Sequence, residues 1–257
     1  MRWRFATSTV TGKGHTDRGE TGQDYHKAGT IRIGDDDFFI GLAADGAGST
    51  TEGGRGAEIA CETAYVGIVS ALREAGGGGI PAITDQEIRT LIATCRDTVE
   101  AEAKRNEKHL KEYACTVLGS VAGNCGAIFF QIGDGAIVSR TGLEYRTIFW
   151  PEQGEYANTT FFLSDEQFLD HLYILRTESF PDEIALFTDG LQSLVLSFSD
   201  RTAHAGFFRP LFDALKKSPE NSLSDFSAQL QNFLCRDEIT TRSDDDKTLI
   251  LAVRTEP

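Results

Sequence analysis

No two cysteines in the chain are spaced C-x-x-C, and the five present, Cys61, Cys95, Cys115, Cys125 and Cys235, are odd in number. That pattern excludes a zinc knuckle, argues against a disulfide framework and fits buried thiols in a reducing compartment. No window approaches the ~18 uncharged apolar residues of a membrane span, and the opening MRWRFATSTVTGKGH lacks the apolar stretch of a secretion signal. A soluble, cytoplasmic protein with no membrane partner is expected. Basic charge is also scarce: 25 Lys and Arg stand against 39 Asp and Glu, for a formal charge of −14. The electrostatic footprint of a nucleic-acid binder is therefore missing. Six prolines, no long polar tract and no repeat at solenoid periods exclude disorder and fibrous architecture, while 40% hydrophobic residues can form a sizeable core.

The helical signals come in pairs. Gly56 to Ala75 places Ile59, Val66, Val69 and Leu72 at helical spacing. After the glycine run at 76–79, Thr84 and Glu87 form a capping-box pattern ahead of Ile88, Leu91, Ile92, Cys95 and Val99. A second pair is expected over Phe207–Lys217 and Ser222–Leu234. Strands are expected at Phe38–Ala43, Cys115–Val121, Ala127–Ile132, Ala136–Ser139, Ile184–Phe187 and Thr248–Val253. Strand runs and helix runs are segregated rather than alternating, which predicts an α+β fold with mainly antiparallel sheets, organised as one domain over residues 1–257.

Three strand runs end in Asp-Gly: Asp45-Gly46, Asp134-Gly135 and Asp189-Gly190. Asp-Gly is ordinarily a hairpin turn, and Asp134 fits that reading best because Ala136–Ser139 can be its return strand. Asp45 has no such partner; a glycine-rich stretch and a helix follow it. A fourth acidic group, Asp244–Asp246, enters the last expected strand, and a fifth site lies early in the chain at Asp24. Carboxylates gathered on one rim repel one another unless cations fill the space between them. An all-oxygen set suits Mg²⁺ or Mn²⁺, and the five scattered histidines show no H-E-x-x-H spacing for zinc.

In order and spacing, Gln23-Asp24, Asp45-Gly46, Cys115-Thr116, Gly133-Asp134-Gly135, Thr188-Asp189-Gly190 and Asp245-Asp246-Lys247-Thr248 resemble the type 2C metal-dependent Ser/Thr protein phosphatases, particularly their compact bacterial members. The resemblance implies a four-layer α-β-β-α sandwich, two antiparallel sheets face to face with a helix pair on each outer side. It implies two Mn²⁺ or Mg²⁺ ions, with Asp45 bridging them, Gly46 adding its carbonyl, Asp189 and Asp245 completing the second, and Asp24 acting through water. A water shared by the ions would then attack the phosphoester, and Asp45, Asp189 and Asp245 would carry the catalysis. A phosphorylated protein is the implied substrate, with a cognate Ser/Thr kinase in the same pathway. Consistent with a water nucleophile, the chain has no C-x₅-R loop, no G-x-S-x-G elbow and no Walker A, since Thr7 stands where its leading glycine belongs.

Some positions depart from the family pattern. Gly19 replaces the arginine that grips phosphate in many members, leaving Arg18 and His15 as phosphate-binding candidates. Ala47 stands where animal members have a histidine, so leaving-group protonation would fall to a bound water or to His15. Asp134 would hold a third ion only weakly, because Ser193 replaces its acidic partner. A flap shaping substrate choice is expected within 140–181. The loss of the arginine motivates an alternative: a catalytically silent phosphatase-like domain that binds partners. Retention of mutually repelling carboxylates argues against it. A structural calcium store is poorer still, since no EF-hand loop is present and Asp35–Asp37 reads as a turn.

Overall fold

The computed structural model of the chain describes residues 2–76, 79–151, 160–219 and 222–256. Ten strands form two five-stranded antiparallel sheets. In the first, β1 (Arg2–Val10) pairs with β12 (Lys247–Thr255), followed by β9 (Glu183–Phe187), β6 (Ala136–Thr141) and β7 (Glu144–Thr147). The second runs β2 (Asp24–Ile33), β3 (Asp36–Asp45), β4 (Val117–Gly123), β5 (Gly126–Ile132) and β8 (Tyr173–Thr177). The long helices are α2 (Gly53–Ala75), α4 (Asp85–Arg105), α6 (Ala205–Lys217) and α7 (Leu223–Leu234). Short helices α1 (Lys13–Thr16), α3 (Gly79–Ala82), α5 (Gln192–Val195) and α8 (Asp237–Thr240) and a small ribbon of β10 (Leu196–Ser197) with β11 (Thr202–Ala203) complete the described elements.

Strand alternation builds the layers, because successive side chains point to opposite faces. On β3, Phe38, Ile40, Leu42 and Ala44 join Ala60, Ala64, Ile68, Ile92 and Val99 of α2 and α4 in one core. Phe39 and Ala43, one residue out of step, meet Phe129, Leu186, Ile250 and Ala252 in a second core between the sheets. Leu249, Leu251 and Val253 of β12 face the other way, onto Phe208, Phe212 and Leu230 of α6 and α7. The expected α-β-β-α sandwich is thus present. The capping box is present too: Glu87 N donates to Thr84 Oγ1 at 3.2 Å and Thr84 N donates to Glu87 Oε2 at 2.6 Å.

Four differences from the sequence expectation bear on the site. β1 and β2 were not expected, because arginines, threonines and lysine interrupt their apolar alternation. The Asp134 hairpin reading is overturned: β5 belongs to the second sheet and β6 to the first, so Asp134-Gly135 is a crossing between sheets rather than a turn. The turn expected at Asp35–Asp37 lies at Gly34–Asp35, with Gly34 at φ +61°, and Asp36 and Asp37 already belong to β3. Finally, the segment 140–181 contains the outer strands β7 and β8. Residues 152–159 of the expected flap lie outside the described residues.

Candidate metal and catalytic centre

The β2–β3 hairpin pairs its residues in strict register from the Gly34 turn back to Asp24 opposite Asp45. Two acids from distant positions in the sequence therefore meet at one end of the second sheet. Asp45 is fixed by exchange with Thr116: its N–H donates to Thr116 Oγ1 at 2.9 Å, and its carbonyl accepts from Thr116 N at 2.8 Å. Gly46 follows in an isolated bridge to Cys115. A Cβ on Gly46 would lie 2.2 Å from the Gly53 carbonyl carbon, so only glycine lets the start of α2 close against this loop.

Asp134 sits on the crossing between sheets. The Gln131 amide brackets it, donating to the carbonyls of Gly133 and Gly135 at 2.9 Å each. Gly133 has φ +100°, a conformation that favours glycine. Thr160 Oγ1 donates to Asp134 Oδ2 at 2.5 Å, and Gln192 Nε2 donates to the Asp134 carbonyl. Asp189 opens the turn after β9, where a Cβ on Gly190 would lie 2.0 Å from the Asp246 carbonyl oxygen. Carboxylate oxygens of Asp45, Asp134 and Asp189 lie within 4.8 Å of one another. Asp24 Oδ2 accepts hydroxyls from Thr188 at 2.7 Å and Thr248 at 2.8 Å, while its Oδ1 is buried without a partner among the described residues.

This gathering is electrostatically costly. Burial raises Asp24 to about 7, with Asp246 and Asp245 adding to the rise and the two threonine hydroxyls opposing it. Burial also raises Asp189 to about 8, helped by Asp134, Asp245 and Asp24. Asp45 is pushed well above the usual carboxylate range by burial and then by Asp24, Asp189, Asp245 and Asp134, and burial raises Asp134 too. Without a cation the cluster therefore holds protons that a divalent ion would displace. Lys247, next to the cluster, is held down by burial against the pull of the acids. Its Nζ is spent on the carbonyls of Ser243 and Asp245, at 2.8 and 2.6 Å.

Asp245 stands apart from the three-carboxylate group: it is exposed, and its Oδ1 accepts from Asp246 N at 2.8 Å. Its charge still acts on Asp45 and Asp189. His15 is buried and bonded through Nδ1 to Asp246 Oδ1 at 3.1 Å, with Nε2 unpartnered among the described residues. Arg18 is exposed and donates to Glu20 Oε2 at 2.7 Å. The amide of Gln23 turns to the Thr50 carbonyl at 3.0 Å.

Sequence reasoning gave no role to Asp246, whose side chain is only 1% exposed. It accepts from Gly12 N at 2.6 Å, Gln23 N at 2.5 Å, Asp24 N at 3.4 Å and His15, tying the loop before β2 to the start of β12. Thr188 and Thr248 were also missed, although both stand inside motifs that drew attention through their acids. A hydroxyl next to a candidate ligand is the signal that was available.

Known proteins resemble the chain in sequence and in fold. The profile of the family described as Protein phosphatase 2C matches residues 11–235. The chain is 32% identical over 254 residues to Serine/threonine-protein phosphatase 3 of Escherichia coli strain K12, covering 98% of this chain and 99% of that one. In fold it is similar to the serine/threonine phosphatase Stp1 from Staphylococcus aureus, with a TM-score of 0.60 at 16% identity, covering 98% of this chain and 95% of that one. It is likewise similar to PppA of Pseudomonas aeruginosa, whose structure is described as a key regulatory component of T6SS, with a TM-score of 0.62 at 18% identity, covering 99% and 98%. The extent of the profile match and the identity over nearly the whole length show that the chain belongs to the protein phosphatase 2C family of metal-dependent serine/threonine phosphatases.

Proposed function

We propose that this family member hydrolyses phosphoserine and phosphothreonine in proteins by attack of water. Two Mn²⁺ or Mg²⁺ ions would be held by Asp45, the Gly46 carbonyl, Asp189 and Asp245, with Asp24 acting through water. The observation that carries the reading is the convergence of Asp45, Asp134 and Asp189, three carboxylates from three separate loops with oxygens inside 4.8 Å. The donor set fits hard cations, being all oxygen, and Asp24 Oδ1 adds a buried acceptor without a donor among the described residues. Bound there, such ions supply a water nucleophile at neutral pH and offset charge on the phosphoryl group.

The chain's own residues would prepare the site. Thr116 fixes the backbone of Asp45, Gln131 fixes the loop of Asp134, and Thr188 and Thr248 fix Asp24. Asp134 would serve a third, weaker ion position, because Ser193 offers no carboxylate there. Between the phosphate-binding candidates, His15 is favoured: its Nε2 has no partner among the described residues, whereas the Arg18 guanidinium is engaged by Glu20. A protein kinase must act earlier to make the phosphoester substrate.

The test is hydrolysis of p-nitrophenyl phosphate and a phosphothreonine peptide in Mn²⁺, Mg²⁺ or EDTA. Asp45→Asn and Asp189→Asn should each lower kcat by at least about 100-fold, beyond the range of lost supporting contacts. Activity surviving both changes would refute the assignment. Phosphopeptide binding without turnover in any metal would establish the silent alternative.

A further inference from the structure

The line of side chains behind Asp24 continues past Thr248 to residues that have no part in the reading above. Residues 24 and 26 lie on one face of β2 by the two-residue period of a strand. Thr9 of β1 and Thr248 of β12 are direct cross-strand partners in the other sheet. Their hydroxyls meet at 2.7 Å; Thr248 Oγ1 reaches Asp24 Oδ2 at 2.8 Å, and Thr9 Oγ1 reaches His26 Nδ1 at 2.7 Å. Asp24, Thr248, Thr9 and His26 thus form a continuous ladder that crosses between the sheets twice. It ends at a surface pocket of about 340 Å³ whose lining includes Thr9, His26, Ser227 and Gln231.

With Asp24 ionised, the direction of every bond in the ladder is forced. A carboxylate only accepts, so the single hydroxyl hydrogen of Thr248 goes to Asp24. Thr9 must then donate to Thr248, which spends its own hydrogen. The contact with His26 forms only if Nδ1 carries the proton, fixing one tautomer of the ring. Thr188 obeys the same rule: it donates to Asp24 Oδ2 and accepts from Thr248 N at 3.0 Å. Both hydroxyl donors converge on Oδ2, and Oδ1 is left without a partner among the described residues.

We propose that Thr9 and His26 are positioning residues of the phosphatase centre, locking Oδ2 of Asp24 from the far side of the sandwich so that Oδ1 is held for a divalent cation or its water. The proposal builds on the two-metal reading and extends it to residues outside the acidic rim. Neither Thr9 nor His26 touches substrate or the reacting atoms. They act through Thr248, as the outer partners of metal ligands do elsewhere.

Thr9→Val removes the hydroxyl while keeping the shape and the strand preference of the side chain. It should weaken Mn²⁺ binding, measured by calorimetry, by about 10-fold, and lower kcat on p-nitrophenyl phosphate similarly, with KM and Tm close to wild type. Thr9→Ser should restore both. His26→Phe should act in the same direction, and His26→Asn, whose amide N–H can replace the Nδ1 proton, should recover most of the loss. Long-range proton–nitrogen NMR on the metal-free protein, at a pH well above the Asp24 value of about 7 so that this group is ionised, should find the Nδ1–H tautomer of His26 in the wild type and a shift towards Nε2–H in Thr9→Val.

An Nε2–H tautomer in the wild type would overturn the ladder. So would a Thr9→Val protein with wild-type Mn²⁺ affinity and kcat. A fall in Tm with unchanged turnover per folded molecule would reduce the ladder to a cross-link between sheets and reject the positioning role. If the wild type binds no Mn²⁺, the two-metal reading fails and the positioning role falls with it. If the wild type binds Mn²⁺ and hydrolyses substrate, the Thr9 series alone decides.

Discussion

Replacing Asp246 with alanine tests whether one buried carboxylate holds the N-terminal loop against the last strand. The side chain accepts two short backbone bonds, from Gly12 N at 2.6 Å and Gln23 N at 2.5 Å, and a third from His15 at 3.1 Å; the Asp24 N contact at 3.4 Å is marginal. A buried donor stripped of its acceptor costs about 1–3 kcal/mol, and hydrogen bonds to a charged group lie at the upper end. Two strong bonds and one weaker one would sum to about 5 kcal/mol on that scale. Two effects reduce the sum: water can reach part of the cavity, and removing the charge relieves its repulsion of Asp24. A net loss of about 3–4 kcal/mol is expected, equivalent to a Tm lowered by about 6–16 °C for a chain of this size. Asp246→Asn keeps one carbonyl acceptor and should cost about 1–2 kcal/mol. Urea denaturation followed by circular dichroism measures both variants, and Mn²⁺ titration reads the consequence for Asp24. An alanine variant within about 0.5 kcal/mol of wild type, the range of an ordinary surface substitution, would refute the argument that Asp246 organises the loop.

Acidity supplies a second prediction. Asp24 and Asp189 titrate near 7 and 8 in the metal-free fold, above the ordinary value of 3.8. Between these values the unfolded chain binds fewer protons than the native one, so stability falls as pH rises from about 4 to about 8. Calorimetry of the EDTA-treated protein should show Tm declining over that range and Mn²⁺ restoring it at pH 8; a flat profile would contradict the clustering. Glu183, at the opposite end of β9, behaves in the reverse sense. Burial pushes it up, but bonds from Arg140 at 2.7 and 2.6 Å, Lys216 at 2.5 Å and Tyr145 at 2.6 Å outweigh that and hold it below the usual value of 4.5. Its contribution is present above that value and lost as pH falls through the lowered native one. Glu183→Gln should cost about 2–3 kcal/mol, less than a fully buried pair because the Lys216 side chain remains 33% exposed. Hydrolysis of p-nitrophenyl phosphate at 25 °C should be unchanged. Gly190→Ala should lower both Mn²⁺ affinity and Tm, because the new methyl would lie 2.0 Å from the Asp246 carbonyl and force the Asp189 loop to move.

Local pattern alone determined much of this protein. The spacing of Ile88, Ile92, Cys95 and Val99 and the Thr84–Glu87 box specified α4, because helix period and capping depend on neighbours within a turn or two. Segregated strand and helix runs indicated an α+β fold with mainly antiparallel sheets, and the acids before glycine marked the loops that converge. What the sequence hid depends on partners far apart in the chain. β1 and β2 carry polar residues that look solvated until the two sheets pack face to face, and Thr9 gains meaning only opposite Thr248, 239 residues away. Asp134 resembled a hairpin turn because its flanking strands are adjacent in sequence; only the assembled sheets show that they part there. Asp245 and Asp246 are neighbours of identical chemistry, yet one is exposed at the rim and the other is buried under backbone donors from Gly12 and Gln23. Burial and hydrogen-bond partnership are properties of the packed fold, and they decided which acids could meet a metal and which one holds the loop together.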